Sequence, residues 1–202
     1  DSIREYICNF IMSKLETNQV DPATGTTLTL GTSGDTITIP SGVTIANSGT
    51  ATGFGGTNTP AFMATASSQL TLSNDTWTKV QFNTEVVDTN NNYDPSTNYR
   101  FTPTTAGKYK ISYFASMETT GGVGAANFAF FGLYKNGSVI HQAYIDSSNN
   151  NTYAYAGGVS AIVDMNGSSD YLEAYARGNA SSGAMKVQNS TYTMFSGFKI
   201  IE

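Results

Sequence analysis

Asp88-Thr89-Asn90-Asn91-Asn92-Tyr93-Asp94 comes nearest to a chemical motif, because it spaces side-chain oxygens two residues apart as a calcium loop does. A loop of the EF-hand type needs glycine at its sixth position and glutamate at its twelfth; Tyr93 and Tyr99 stand there. The ligand set is incomplete, so the stretch reads as a polar loop between strands, and no metal is expected. His141 is the single histidine and Cys8 the single cysteine, so a two-histidine metal site, a thiolate cage and an intrachain disulfide all lack partners within one chain. No Gly-x-Ser-x-Gly elbow, phosphate loop or dinucleotide fingerprint occurs. Binding is therefore expected rather than catalysis, with no cofactor. Tyrosine offers wide contact at low entropic cost, while Asn and Ser adapt their hydrogen bonds. These types gather in loops 90–98, 119–125, 146–152 and 176–183, with Asn90, Asn92, Asp146, Tyr153 and Tyr155 as the candidate ligand contacts.

The elements that must carry such loops are strands. Only 12% of the 202 residues are charged, and polarity comes from Thr, Ser and Asn with 20 glycines, types that favour extended chain and turns. The net charge is −5 and no Lys/Arg cluster occurs, so nucleic acid and anionic membranes are not expected partners. No apolar run reaches the ~18 residues of a membrane-spanning helix. Residues 1–11 form a separate leader, either upstream readthrough or a fragment of a longer product, because Met12-Ser13-Lys14-Leu15 reads like an ordinary start. Residues 12–57 are rich in Thr and Gly. Pairs such as Leu28/Leu30, Ile37/Ile39 and Val43/Ile45 predict short strands separated by turns at Gly31-Thr32-Ser33-Gly34-Asp35 and Pro40-Ser41-Gly42. Such strands cannot bury their apolar edges alone. The segment is either a stem or attachment arm that uses copies from other chains, or a flexible linker.

Residues 58–202 are dense in aromatics. Thr76-Trp77-Thr78-Lys79-Val80-Gln81-Phe82 alternates, and Lys108-Tyr109-Lys110-Ile111-Ser112-Tyr113 does so with tyrosines and isoleucine inward. Residues 127–134 are apolar on both faces, with Phe128 and Phe130 opposing Phe131 and Leu133, which predicts a strand needing a second cover beyond its partner sheet. Asn136-Gly137 and Asn166-Gly167 read as hairpin turns. Many short strands with turns between them define an all-β sandwich or jelly roll.

Phe82, five residues, Asp88, four residues and Tyr93, followed by Phe101, five residues, Gly107, then Tyr109, Ile111 and Tyr113, resemble the pattern of C1q-like domains. Leu133-Tyr134-Lys135-Asn136-Gly137 resembles that family's Leu-x-x-Asn-Gly hairpin, and Phe195-Ser196-Gly197-Phe198 its closing strand. The chain departs by one extra residue between Tyr93 and Phe101 and by Ile111 where the family usually has Phe. The resemblance implies a C1q/TNF-like jelly-roll head and a homotrimer. Phe82, Tyr93, Phe101, Gly107, Tyr109, Tyr113, Phe128, Phe130, Phe195, Gly197 and Phe198 are its expected core or trimer residues, and the trimer partner is expected to cover the outer side of strand 127–134. No collagen-like Gly-X-Y repeat precedes the head. Residues 12–56 instead resemble the amino-terminal segments of tail-fibre and other virion proteins of marine bacteriophages.

The expectation is thus a phage virion structural protein, a trimeric fibre or appendage. Its head meets a host-surface protein or glycan, and residues 12–57 meet other virion proteins. Two alternatives stay open: a capsid or neck decoration protein, and a secreted cellular C1q-like lectin or adhesin. The expected location is the virion or the extracellular space.

Overall fold

A computed structural model describes residues 20–49, 58–146 and 152–201. The expected leader, with Cys8, the whole expected hinge at 51–56, and most of loop 146–152 lie outside these residues. The chain divides into two units, Asp1–Ala51 and Thr52–Glu202. In the first, residues 20–49 are extended and form no strand ladder, so the predicted strands have no partner within the described chain. The two turns lie where Gly and Pro placed them, closed by Asp35 N–H donating to Thr32 O and Val43 N–H to Pro40 O. Leu28, Leu30, Ile37, Ile39, Val43 and Ile45 are all exposed.

The described residues of the second unit hold thirteen strands: β1 (Ala61–Thr65), β2 (Leu70–Thr71), β3 (Thr78–Lys79), β4 (Thr84–Asp88), β5 (Tyr93–Asp94), β6 (Arg100–Phe101), β7 (Gly107–Thr119), β8 (Ala126–Lys135), β9 (Ser138–Asp146), β10 (Ala154–Met165), β11 (Leu172–Ala180), β12 (Met185–Val187) and β13 (Thr193–Lys199). The larger sheet is built on β7, which pairs with β10 along one edge and with β13 and then β12 along the other; β1 and β4 follow β13, and β2 follows β12. The smaller sheet runs β9, β8, β11, with β3 and β6 on the far edge of β11 and β5 beyond β6. Nearly every pairing is long-range and all are antiparallel, as in a jelly roll. Among the described residues no helix is long and apolar enough to cross a membrane.

The core fills the space between the sheets. Tyr109, Ile111, Tyr113, Ala115 and Met117 all point inward from β7, as the alternation of that strand requires. Phe62 stacks on Tyr93 at 5.2 Å and on Phe101 at 4.2 Å, and Phe82, Tyr113, Phe131 and Phe195 continue the aromatic packing. Gly107 takes φ +138°, a conformation that favours glycine at the start of β7. A Cβ on Gly197 would overlap Ile111 Cδ1 and crowd Phe62, so the missing side chain is what lets the sheet and ring approach.

Three expectations need correction. Phe198 lies on the outside of the larger sheet and is 42% exposed; period-2 alternation puts it on the face opposite Phe195, three residues earlier. The outer side of β8 is covered from within the chain, by Trp77 and Tyr144 against Phe130, with Tyr144 also beside Phe128, and these two phenylalanines are half-buried rather than core. Asn166-Gly167 does not close a hairpin, because residues 166–171 carry the chain from β10 in one sheet to β11 in the other. Asn136-Gly137 does close β8 onto β9, with φ of +52° and +78°.

The head has two poles. At one, Lys199 N–H donates to Pro60 O and Ile200 N–H to Lys108 O, so its first and last strands meet beside the start of β7. At the other, roughly 40 Å along the thirteen residues of β7, Thr119 N–H donates to Tyr153 O, Gly124 N–H to Thr152 O and Ser181 N–H to Ala125 O.

Candidate functional site

The candidate loops separate between these poles. Residues 119–125, the described ends of 146–152 and residues 181–183 come together at the far pole, tied by the hydrogen bonds just given and by Thr120 N–H to Ala184 O. Asn90 and Asn92 sit beside residue 61 at the opposite pole, where Thr89 N–H donates to Ala61 O. They do not form one site with Asp146 and Tyr153.

The loop 88–94 spends its oxygens on its own backbone. Asp88 accepts from the N–H groups of Asn90 and Tyr93, and Asp94 from those of Ser96, Thr97 and Asn98. The Thr97 and Ser96 donors hold the Asp94 carboxyl well below the usual carboxylate range. Asn92 is buried: its carbonyl accepts from Thr104 N–H and hydroxyl, and its amide donates to Asn90 O. It is a loop strut rather than a ligand contact. Tyr155 is also buried, 5% exposed, and belongs to the core on the inner face of β10. Asn90, Asp146 and Tyr153 remain exposed. Tyr153 is paired with Glu118, which raises its hydroxyl pKa. His141 is exposed on β9, and among the described residues no group of three or more His, Cys, Asp or Glu side chains could hold a metal.

Two sheet faces carry the rest of the exposed chemistry. On the outside of the larger sheet, register places Phe198, Lys110 and Ile162 in one row, Ser196, Ser112 and Ser160 in the next, and Met194, Phe114 and Gly158 in a third. Ile162 is 63% exposed and Phe114 40%. A hollow of about 420 Å³ opens among Met63, Phe114 and Met194 and is rimmed by Thr65, Ser190, Thr191 and Thr193. The neighbouring free edge, β9, exposes Val139 and Ile140.

On the outside of the smaller sheet lies a band of rings. Tyr144 on β9 sits 4.4 Å from Phe130 on β8; Trp77, just before β3, meets Phe130 and Tyr134 edge-on at 5.7 Å each; Tyr134 lies 4.2 Å from Tyr175 on β11. Gly132 is the floor of this band, since a Cβ there would collide with the Trp77 ring. The Arg177 guanidinium lies over Phe130 and is held by Asp75, Nε to Oδ1 at 2.6 Å, while Lys79 is bound by the buried carboxylate of Glu173 at 2.5 Å. Sequence reading missed this band. The doubly apolar strand 127–134 was its only local signal, because the covering residues come from strands distant in sequence.

Two antiparallel sheets with this topology define a jelly roll of the C1q/TNF type. Residues 61–200 match the C1q domain family, and the chain belongs to it. Among solved structures, the globular domain of zebrafish complement 1qA protein aligns over 70% of this chain and 97% of its own, at 17% identity and a TM-score of 0.48. Eiger TNF from S. frugiperda aligns over 69% and 91%, at 10% identity and a TM-score of 0.52. Murine APRIL at pH 5.0 aligns over 69% and 98%, at 10% identity and a TM-score of 0.52. At 10% identity, the likeness to the latter two is one of fold. No curated protein matches the chain.

Proposed function

We propose that this chain is a homotrimeric appendage protein of a virion, whose C1q-like head adsorbs to a host-surface protein or glycan while residues 12–57 engage other virion proteins. The observation that carries the assembly is the apolar outer face of the larger sheet. Phe114, Met194 and Met63 form the main cluster of this wall, Phe198 and Ile162 flank Lys110 beyond a row of serines, and the Val139/Ile140 edge of β9 is a second, different apolar surface. A face that meets an edge makes a heterologous contact, and a rotation of one third of a turn between copies closes such contacts into a three-membered ring. Obligate interfaces resemble a domain core cut in half, which suits this wall. The alternating exposed residues at 28–45 support a stem in which each copy supplies its neighbours' missing strand partners.

The test has two arms. Light scattering of the full chain at micromolar concentration should give the mass of a trimer, and a stable monomer would defeat the assembly. Immunogold labelling of parent particles should mark tail or fibre structures. Label spread over the capsid shell would assign the decoration role instead, and particles that carry none would leave a secreted adhesin.

A further inference from the structure

We propose that the outer face of the smaller sheet is a binding site for a neutral polysaccharide, with Trp77, Tyr144 and Tyr134 as its stacking surface and Gln142 as its hydrogen-bonding group. The proposal rests on the reading of the head as a trimeric binding module and names the site and ligand class that such a module would use.

Charge selects the ligand class. Arg177 is paired with Asp75 and Lys79 with Glu173, so these two cations give the band no net positive charge for an anionic chain. Asp146, beside the Tyr144 hydroxyl at the end of the band, adds negative potential, and the whole chain carries −5. Phosphorylated, sulfated or uronic acid polymers are therefore disfavoured, as is nucleic acid.

Shape selects sugar over protein. The rings lie packed against one another and down onto the sheet, held by edge-on contacts and by the absent side chain at Gly132. A protein partner gains most from anchors that enter pockets, and the described hollow is on the other sheet. Rings pre-ordered in this edge-on packing can each stack on the C–H face of a pyranose with little side-chain entropy left to lose. Gln142 lies opposite Gly132 across the β8–β9 ladder, on the same face and exposed. Its carboxamide presents a donor and an acceptor side by side, which matches two neighbouring sugar hydroxyls. One such site per protomer is weak, and three on a trimer can raise avidity by ~10²–10⁴ where the polymer reaches all of them.

Trp77 is the chain's only tryptophan, so its fluorescence reads this face directly. The full chain is titrated with mannan, laminarin, dextran and galactan, with alginate as the anionic comparison. The expected result is a saturable change in Trp77 emission with at least one of the four neutral polymers, insensitive to added salt. Tyr144→Ala and Gln142→Ala, both at exposed positions, should weaken it by several-fold to about tenfold with melting temperatures close to the parent's. Silence with all four neutral polymers overturns the site, as does a salt-sensitive response to alginate alone, or parental affinity in both variants. Capture of a protein ligand by the parent but not by Tyr144→Ala also overturns it, in favour of a protein partner. The two readings fail separately. Cells bound equally by parent and Tyr144→Ala remove the site and leave the binding head, whereas a monomeric parent that ignores cells but still answers a neutral polymer removes the head's role and leaves the site.

Discussion

Three tyrosines enter the same core and meet different fates at their hydroxyls. Tyr93 donates to Phe82 O at 2.9 Å and Tyr109 to Thr105 O at 2.7 Å, while the hydroxyl of Tyr113 has no hydrogen-bond partner among the described residues. Burial pushes the Tyr109 hydroxyl up to about 12 and those of Tyr93 and Tyr113 higher still. Tyr93→Phe should cost about 0.5–1.5 kcal/mol in denaturant unfolding, and Tyr113→Phe should be neutral or stabilising, since it removes an unpaired buried polar atom. Equal losses in both would show that Tyr113 has a partner after all. The carboxylates act in the opposite pH range. Asp94 is held down by N–H donors, and Asp170 by Lys135 and Asn136. Folded carboxyls below their unfolded values mean that the unfolded chain binds more protons in that interval. Stability should therefore be complete above about pH 4 and fall as acid passes through the folded values. Asp94→Asn should flatten that fall in pH-dependent melts, and an unchanged acid limb would remove Asp94 from the account.

At the scale of elements, β7 and β13 show what was legible. The Tyr109/Ile111/Tyr113 alternation stands beside lysines and serine, so its inner face could be read directly. β10 has no such contrast: Ala154, Ala156 and Ile162 face outward while Tyr155, Val159 and Val163 face inward, which is why Tyr155 was expected at a ligand surface. Asn92 was misread for a related reason, because its partners at Thr104 lie across a loop that spacing does not disclose. In β13 the neighbours Gly197 and Phe198 should separate folding from assembly. Gly197→Ala forces a methyl into Ile111 and should cost the head about 1–3 kcal/mol of stability. Phe198→Asp changes an outer ring and should leave the head folded while weakening trimer formation. A Phe198→Asp chain that remains fully trimeric by light scattering would take this part of the wall out of the interface.

For the whole molecule, assembly and stability are linked. If copies bury the wall of the larger sheet, the melting temperature should rise with protein concentration, because mass action favours the associated folded state. A melting temperature flat over a hundredfold dilution, begun well above the assembly threshold and ending well below it, would speak for heads that stand alone. The architecture was legible from turns, alternation and the spacing of Phe82, Tyr93, Phe101 and Gly107. The aromatic band on the smaller sheet was not, because it depends on register among strands that lie far apart in the chain.

The meeting of Pro60 and Lys199, joined by a 3.0 Å hydrogen bond, makes the head a transplantable cassette. A domain whose two ends leave side by side can be spliced into a surface loop of an unrelated carrier without prying that loop open, and its ends can be joined while new ones are cut elsewhere. Recombination that cuts at these two neighbouring ends moves such a head intact, so the same β-sandwich can be carried by very different shafts.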